Sequence, residues 1–327
     1  MIGRRLRLRG RLNTSLFVKL ACSAALLALL LHFIPVGEVV TACASIHPLF
    51  FAVAVCLQFL TRGVAACRLK IVADSQGMLL TRWMLFRILL ITQLYSLAMP
   101  GTLAGGGVTW LKYVQAGTSK DAAAATVVLN RAVGLTFMVL VGSAAWVLDR
   151  GPDAAWLLAG GVALTLLIVF LCKHPSKNSD AASASTAGWS WKGALANIRS
   201  RGRALRSLPM GIKLRLMVHS LTHELLGGAV MLAFGFALGL EIHFVQVLWM
   251  RAGMTILLMM PVSVAGLGVR EVSLVGLGSM IGIAPASAVA WSFVTFAGVL
   301  IVAGVGAVME MRGSSIRLGP QQSDQRQ

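Results

Sequence analysis

Charge is what this chain has least of: only 12% of its 327 residues are Asp, Glu, Lys or Arg, against 57% hydrophobic. A soluble domain carries about 25% charged residues, so the mean hydropathy of +0.81 makes a lipid bilayer the natural solvent. Acidic residues are rarer still. Eleven face 29 basic ones, a formal net charge of +18. That surplus does not make a nucleic-acid partner, because the basic residues sit in loops between apolar runs, as the positive-inside rule expects. The five cysteines are odd in number and lie in or beside apolar segments without C-x-x-C spacing. They exclude a disulfide or metal framework and read as small buried hydrophobes. No phosphate-cradling Gly-rich loop ending in Lys-Ser/Thr is present, nor a G-x-S-x-G elbow, nor the H-E-x-x-H order of metalloproteases. With no catalytic constellation, the chain does not read as an enzyme, and no cofactor or metal is expected. His219, His223 and Glu224 come nearest to a metal site, since His at i and i+4 share a helix face.

What is there is a series of long apolar runs. Residues 16–34, 49–66, 122–148, 154–172, 216–240 and 286–309 each approach or exceed the ~20 residues of a membrane helix. The first follows Arg4, Arg5, Arg7, Arg9 and Arg11 and could pass for a secretory signal. Its length and the intervening Glu38 favour a span. Two further regions are apolar but broken, 88–99 with 103–116 around Pro100, and 244–260 with 264–283 around Pro261. The fold class predicted is all-α integral membrane, with six full spans and two Pro/Gly-broken re-entrant hairpins.

Loop charge orients the chain. The N-terminus, the Arg68, Lys70, Arg82 and Arg87 stretch, the basic 173–215 segment and Arg312 with Arg317 lie on the cytoplasmic side. The loop at 35–48 lacks Lys and Arg and lies outside, as do Asp149, Arg150 and Asp153 and the Glu241-Ile242-His243 loop. The signs agree only if each broken region enters and returns on one side, the first opening to the cytoplasm and the second to the exterior. Aligned over residues 99–108 and 260–269, the breaks share six of ten residues. The offset is 161 residues (261 − 100). Two spans, a hairpin and a span therefore recur upside down, the inverted-repeat plan of many secondary transporters.

The expected organisation is a basic cytoplasmic N-terminus (1–15), a first repeat with the span after it (16–172, hairpin about 84–117), a cytoplasmic linker (173–212), a second repeat (213–310, hairpin about 244–283) and a cytoplasmic tail (311–327). Within the linker, residues 189–208 mix Trp189, Trp191 and Leu195 with Lys192, Arg199 and Arg203. They fit a basic amphipathic helix at the membrane surface or a solvated loop that fixes topology.

A break inside the membrane strips backbone groups of helical partners and is tolerated only against protein or a water-filled cavity. The helix restarting after Pro100 or Pro261 turns its positive end toward the midplane. Gly105, Gly106 and Gly107, with Gly266 and Gly268, admit a close ligand or a close helix. The first option suits an anion such as a phosphate. Charge within the membrane is costly and generally faces a cavity or a partner. The candidates for a lipid headgroup site are Lys112, Asn130, Arg131, Arg251, Arg270 and Glu271. Each could instead make an internal ion pair or snorkel, with Glu224 and Glu310 as structural partners. Arg270 and Glu271, adjacent on the chain, are expected to face apart and need different partners.

These residues resemble a known family. Pro100 to Gly107 with Lys112 and Gly117, then Leu129-Asn130-Arg131 with Gly134 and Leu135, resembles the first signature of the lysylphosphatidylglycerol synthase transmembrane region, or flippase-like domain. Pro261 to Gly268 followed by Arg270-Glu271 resembles its second. The resemblance covers essentially the whole chain. It implies movement of an anionic or modified lipid, phospholipid, glycolipid or hopanoid-related, between leaflets of a bacterial inner membrane. Bifunctional members carry a following aminoacyl-transferase domain. The chain ends at Gln327 after its last span, so lysyl transfer is not expected. Gly107 and Asn130 stand where the family often has acids, which removes partners for Lys112 and Arg131 or signals another substrate. A non-transporting subunit that serves an envelope-lipid enzyme is the alternative. A homodimer is compatible with the Gly-rich spans.

Overall fold

The computed structural model describes residues 36–98, 102–151, 202, 207–259, 266 and 268–312. Among these, every regular element is an α-helix. The predicted spans at 16–34 and 154–172, most of the basic segment 189–208, both termini, and Pro100 and Pro261 themselves lie outside the described residues.

The helices run α1 (Val36–Ala44), α2 (Pro48–Ser75), α3 (Arg82–Ala98), α4 (Thr102–Gln115), α5 (Lys120–Arg150), α6 (Met210–Ala237), α7 (Phe244–Leu258), α8 (Val269–Ser279) and α9 (Pro285–Arg312). Four of them, α2, α5, α6 and α9, are long and apolar enough to cross a membrane. At 1.5 Å per residue they run roughly 42 to 47 Å, more than the ~30 Å hydrocarbon core, so they tilt or reach into the headgroups. The other long elements, α3, α4, α7 and α8, have 17, 14, 15 and 11 residues, below the ~20 of a full span.

Local chemistry fixes the ends. Pro48 sits at the start of α2, where its missing N–H is no loss. Ser119 caps α5 by accepting from the Ala122 amide at 3.3 Å, ahead of the alanine run 122–125, and Gly151 (φ 87°) ends it. Thr81 caps α3 by accepting from the Met84 amide at 3.2 Å. Helix α3 thus begins well before its apolar core, and α2 continues through Arg68 and Lys70 to the turn at Gly77 (φ 74°). Hydropathy ends a span where charge begins, whereas the backbone continues until a cap or a left-handed glycine stops it.

One expectation needs correcting. Residues 35–48, read as an external loop, contain the nine-residue helix α1. Its Val39 is buried against Ala286, Val289 and Ala290 of α9, so burial supplies what so short a helix lacks in intrinsic stability.

At the centre α2 packs along α6, while α7 lies against α5 and α3 against α9. Small residues set the closest crossings. A Cβ on Gly142 of α5 would collide with Ala252 of α7, and one on Gly306 of α9 with the backbone of Leu90 and Ile91 of α3. Phe234, Met250 and Trp291 fill the largest core cluster, with the Trp291 indole donating to the Met231 carbonyl at 3.1 Å.

The helices are in register with the sequence offset. Shifting α2 (48–75) by 161 gives 209–236, beside α6 at 210–237, and shifting α3 (82–98) gives 243–259, beside α7 at 244–258. Shifting α5 (120–150) gives 281–311, beside α9 at 285–312. Exchanging these helices for their counterparts keeps the packed pairs among them: α3 on α9 becomes α7 on α5, and α2 on α6 maps onto itself.

Candidate functional site

Helices α2 to α7 line a cavity of about 440 Å³. Its walls carry Arg62 and Arg68 from α2, Arg131 from α5 and Arg251 from α7. Among the described residues, the one carboxylate lining it is Glu224 of α6.

Each cation is seated by its neighbours. Arg68 is 6% exposed, and its Nε and Nη1 have no hydrogen-bond partner. Gly134 makes room for it, since a Cβ there would lie 3.3 Å from Nη2. Arg251 pairs with Glu224, and Gly227 leaves the space its guanidinium fills. The other Glu224 oxygen lies 3.1 Å from His223 Nδ1. Arg62 donates to Gln93 Oε1 of α3. Two further buried polar atoms of lining residues, Tyr113 Oη and Asn130 Oδ1, lack partners. A buried donor or acceptor without a partner costs on the order of 1 to 3 kcal/mol, more when charged. Three residues around this one cavity carry such atoms.

The sequence candidates divide. Asn130, Arg131 and Arg251 meet at this cavity with Gly105 and Gly106. Gly107, on the same helix, has nothing within 4 Å of where a Cβ would stand. Lys112 instead pairs with Glu310 of α9, whose Oε1 also lies 3.4 Å from Tyr95 Oη. Arg270 and Glu271 are elsewhere, in a closed network at the start of α8. Arg270 Nη2 donates to Glu271 Oε1 at 2.8 Å, and Nε donates to Ser292 Oγ at 2.7 Å. Ser292 in turn donates to Glu271 Oε1 at 2.7 Å, and the guanidinium stands 4.6 Å from the Phe296 ring centroid.

The expectation that Arg270 and Glu271 face apart is therefore wrong. Long side chains on adjacent positions fold back to meet when burial, with Glu271 at 0% exposure, makes separation too costly. Glu271 Oε2 also accepts from the Gly268 amide at 2.7 Å, so this helix start is capped by its own carboxylate. Gly268 (φ 83°) and Gly266 (φ 78°) supply the left-handed turns that allow it.

Sequence reasoning missed Arg68, counted as a loop charge, and Arg62, which lay inside an apolar run. It also missed the environment of Tyr113 and His223. The signal for the arginines was available: Arg62 falls inside span 49–66 and Arg68 on its helical continuation, and intramembrane arginine is a site hypothesis by default. Among the described residues, no group of three or more His, Cys, Asp and Glu is placed to hold a metal. His219 Nδ1 lies 2.6 Å from the Arg215 carbonyl oxygen.

Fold and cavity together define a multi-pass helical membrane protein with a cationic chamber between its helices. The family model described as lysylphosphatidylglycerol synthase TM region matches residues 16–306, and the chain belongs to that family. No curated protein matches the chain closely enough to count as similar.

Proposed function

We propose that this protein is a flippase-like translocase that carries an anionic lipid headgroup between leaflets of a bacterial inner membrane. The observation that carries this reading is the Arg-lined cavity with unpartnered Arg68, Tyr113 and Asn130 atoms inside a membrane domain. A headgroup entering it would supply acceptors to guanidinium donors in a medium where such bonds are strong.

The architecture proposed is an inverted repeat of two spans, a re-entrant hairpin and a span, with six full spans and both termini cytoplasmic. Its support is the 161-residue register of the helices, the exchange-invariant packing and the paired close crossings at Gly142 and Gly306. Two related halves can rock about a shared α2–α6 seam, which is the geometry alternating access requires. The cavity is built mainly from first-half helices and closed by α6 and α7, so relative motion of the halves would open it.

The test is leaflet exchange of fluorescent anionic lipid in reconstituted vesicles. Wild type is expected to exceed empty vesicles, while Arg68→Ala and Arg131→Ala fall to the empty-vesicle rate and remain monodisperse. Equal rates for all samples overturn the reading. Absence of exchange together with stoichiometric co-purification of an envelope-lipid enzyme would replace it with a scaffold role.

A further inference from the structure

We infer that the cavity takes a headgroup bearing two or more negative charges, a diphosphate or phosphomonoester, rather than a monoanionic phosphodiester. This rests on the proposed function and sharpens it to a substrate class.

The inference comes from a charge count within the chamber. Setting Arg131 aside, Arg62, Arg68 and Arg251 place three guanidiniums on its walls against Glu224, the single lining carboxylate among the described residues. Within that set two positive charges remain without an anion. Among the described residues Arg62 is hydrogen-bonded to a neutral amide, Gln93, which satisfies a donor but cancels no charge. Arg68 lacks partners at Nε and Nη1 altogether.

The chain has few acids with which to redress this. Of its eleven, Glu271 is held by Arg270, Glu310 by Lys112 and Asp149 by Trp249 and Arg150. Uncompensated charge is costly in low dielectric. A monoanion leaves at least one guanidinium unbalanced, whereas a dianion closes the count.

The distribution of donors matches as well. Arg62 and Arg68 line the cavity from one helix and Arg251 from another, α7, so guanidinium donors reach it from two walls. A diphosphate spreads its charge over two phosphorus centres and accepts forked guanidinium bonds at both. Tyr113 Oη can donate to a further oxygen. The same chemistry belongs to a lipid diphosphate and to a free one.

The experiment is calorimetric titration of the purified full chain in detergent with farnesyl diphosphate, inorganic pyrophosphate and dioctanoyl phosphatidylglycerol. Farnesyl diphosphate is expected to bind at least about tenfold tighter than the phosphatidylglycerol, the least that one more buried charge pair should give. Arg68→Gln and Arg62→Gln should each erase roughly tenfold of that preference while changing phosphatidylglycerol affinity less. Wild-type discrimination stands as a test even where a variant does not fold. Equal or tighter phosphatidylglycerol binding overturns the inference and leaves the anionic-lipid reading intact. Failure of every anion to bind overturns both. Inorganic pyrophosphate binding as tightly as farnesyl diphosphate keeps the charge match and overturns the lipid as its source.

Discussion

The two hairpin regions carry the same sequence signature and handle charge in opposite ways. Beside the first, Arg62, Arg68 and Arg131 line an open chamber that Arg251 and Glu224 of the second half complete, Glu224 being its one carboxylate among the described residues. Around the second, Arg270, Glu271 and Ser292 close on one another, and the carboxylate also caps the start of α8. A matched buried pair neutralises itself, whereas a surplus of one sign stays uncompensated by the described side chains around it. If the two halves are copies of one frame, as proposed, one holds the closed network and the other contributes most of the chamber.

Breaking the closed network should have the largest effect on stability. Glu271→Ala leaves Arg270 buried and unbalanced and removes the Gly268 cap, a loss of about 3 to 5 kcal/mol. Thermal unfolding in detergent reads it. Replacing both partners, Arg270→Met with Glu271→Leu, should cost less than the single change, and a double variant worse than Glu271→Ala would refute the pairing. At the chamber the order reverses. Arg68→Ala removes a charge with no partner, so stability should hold or rise, while anion affinity falls roughly 10- to 100-fold, the worth of a charge-assisted hydrogen bond. A large drop in melting temperature with unchanged binding would show that Arg68 is structural.

The close crossings sharpen the same contrast between halves. Gly306→Ala meets the α3 backbone, which cannot yield by rotating a side chain, and should cost about 1 to 3 kcal/mol. Gly142→Ala meets the Ala252 methyl and should cost somewhat less. Unfolding measurements on the two variants would rank them, and a larger cost at Gly142 would reverse the assignment. Smallest of all, Lys112→Ala breaks a partly exposed pair with Glu310 and should change stability by about 1 kcal/mol or less. Its leaflet-exchange rate should stay near wild type, in contrast with Arg68→Ala.

Much of this was legible in advance because hydropathy and turn chemistry are local properties. Scarce charge forced a membrane solvent, and runs such as 122–148 and 286–309 gave α5 and α9 to within a few residues at each end. The 161-residue offset anticipated the register of α2 with α6 and α3 with α7. Asn130, Arg131 and Arg251 stood out since arginine within an apolar run demands a reason. Helix α1 escaped because its stability comes from α9, nearly 250 residues away in the chain. Arg68 escaped since a charge at the end of an apolar run looks the same from sequence whether it meets water or a cavity.

The chain by itself determined the solvent, the helices and the paired breaks, for these follow from composition and nearest-neighbour chemistry. Only the tertiary structure decided which cations are neutralised. That depends on which helices meet. Gly134 and Gly227 make room for Arg68 and Arg251, and Glu224 pairs with Arg251. The excess of positive charge left in the chamber is a property of that packing and of no single segment.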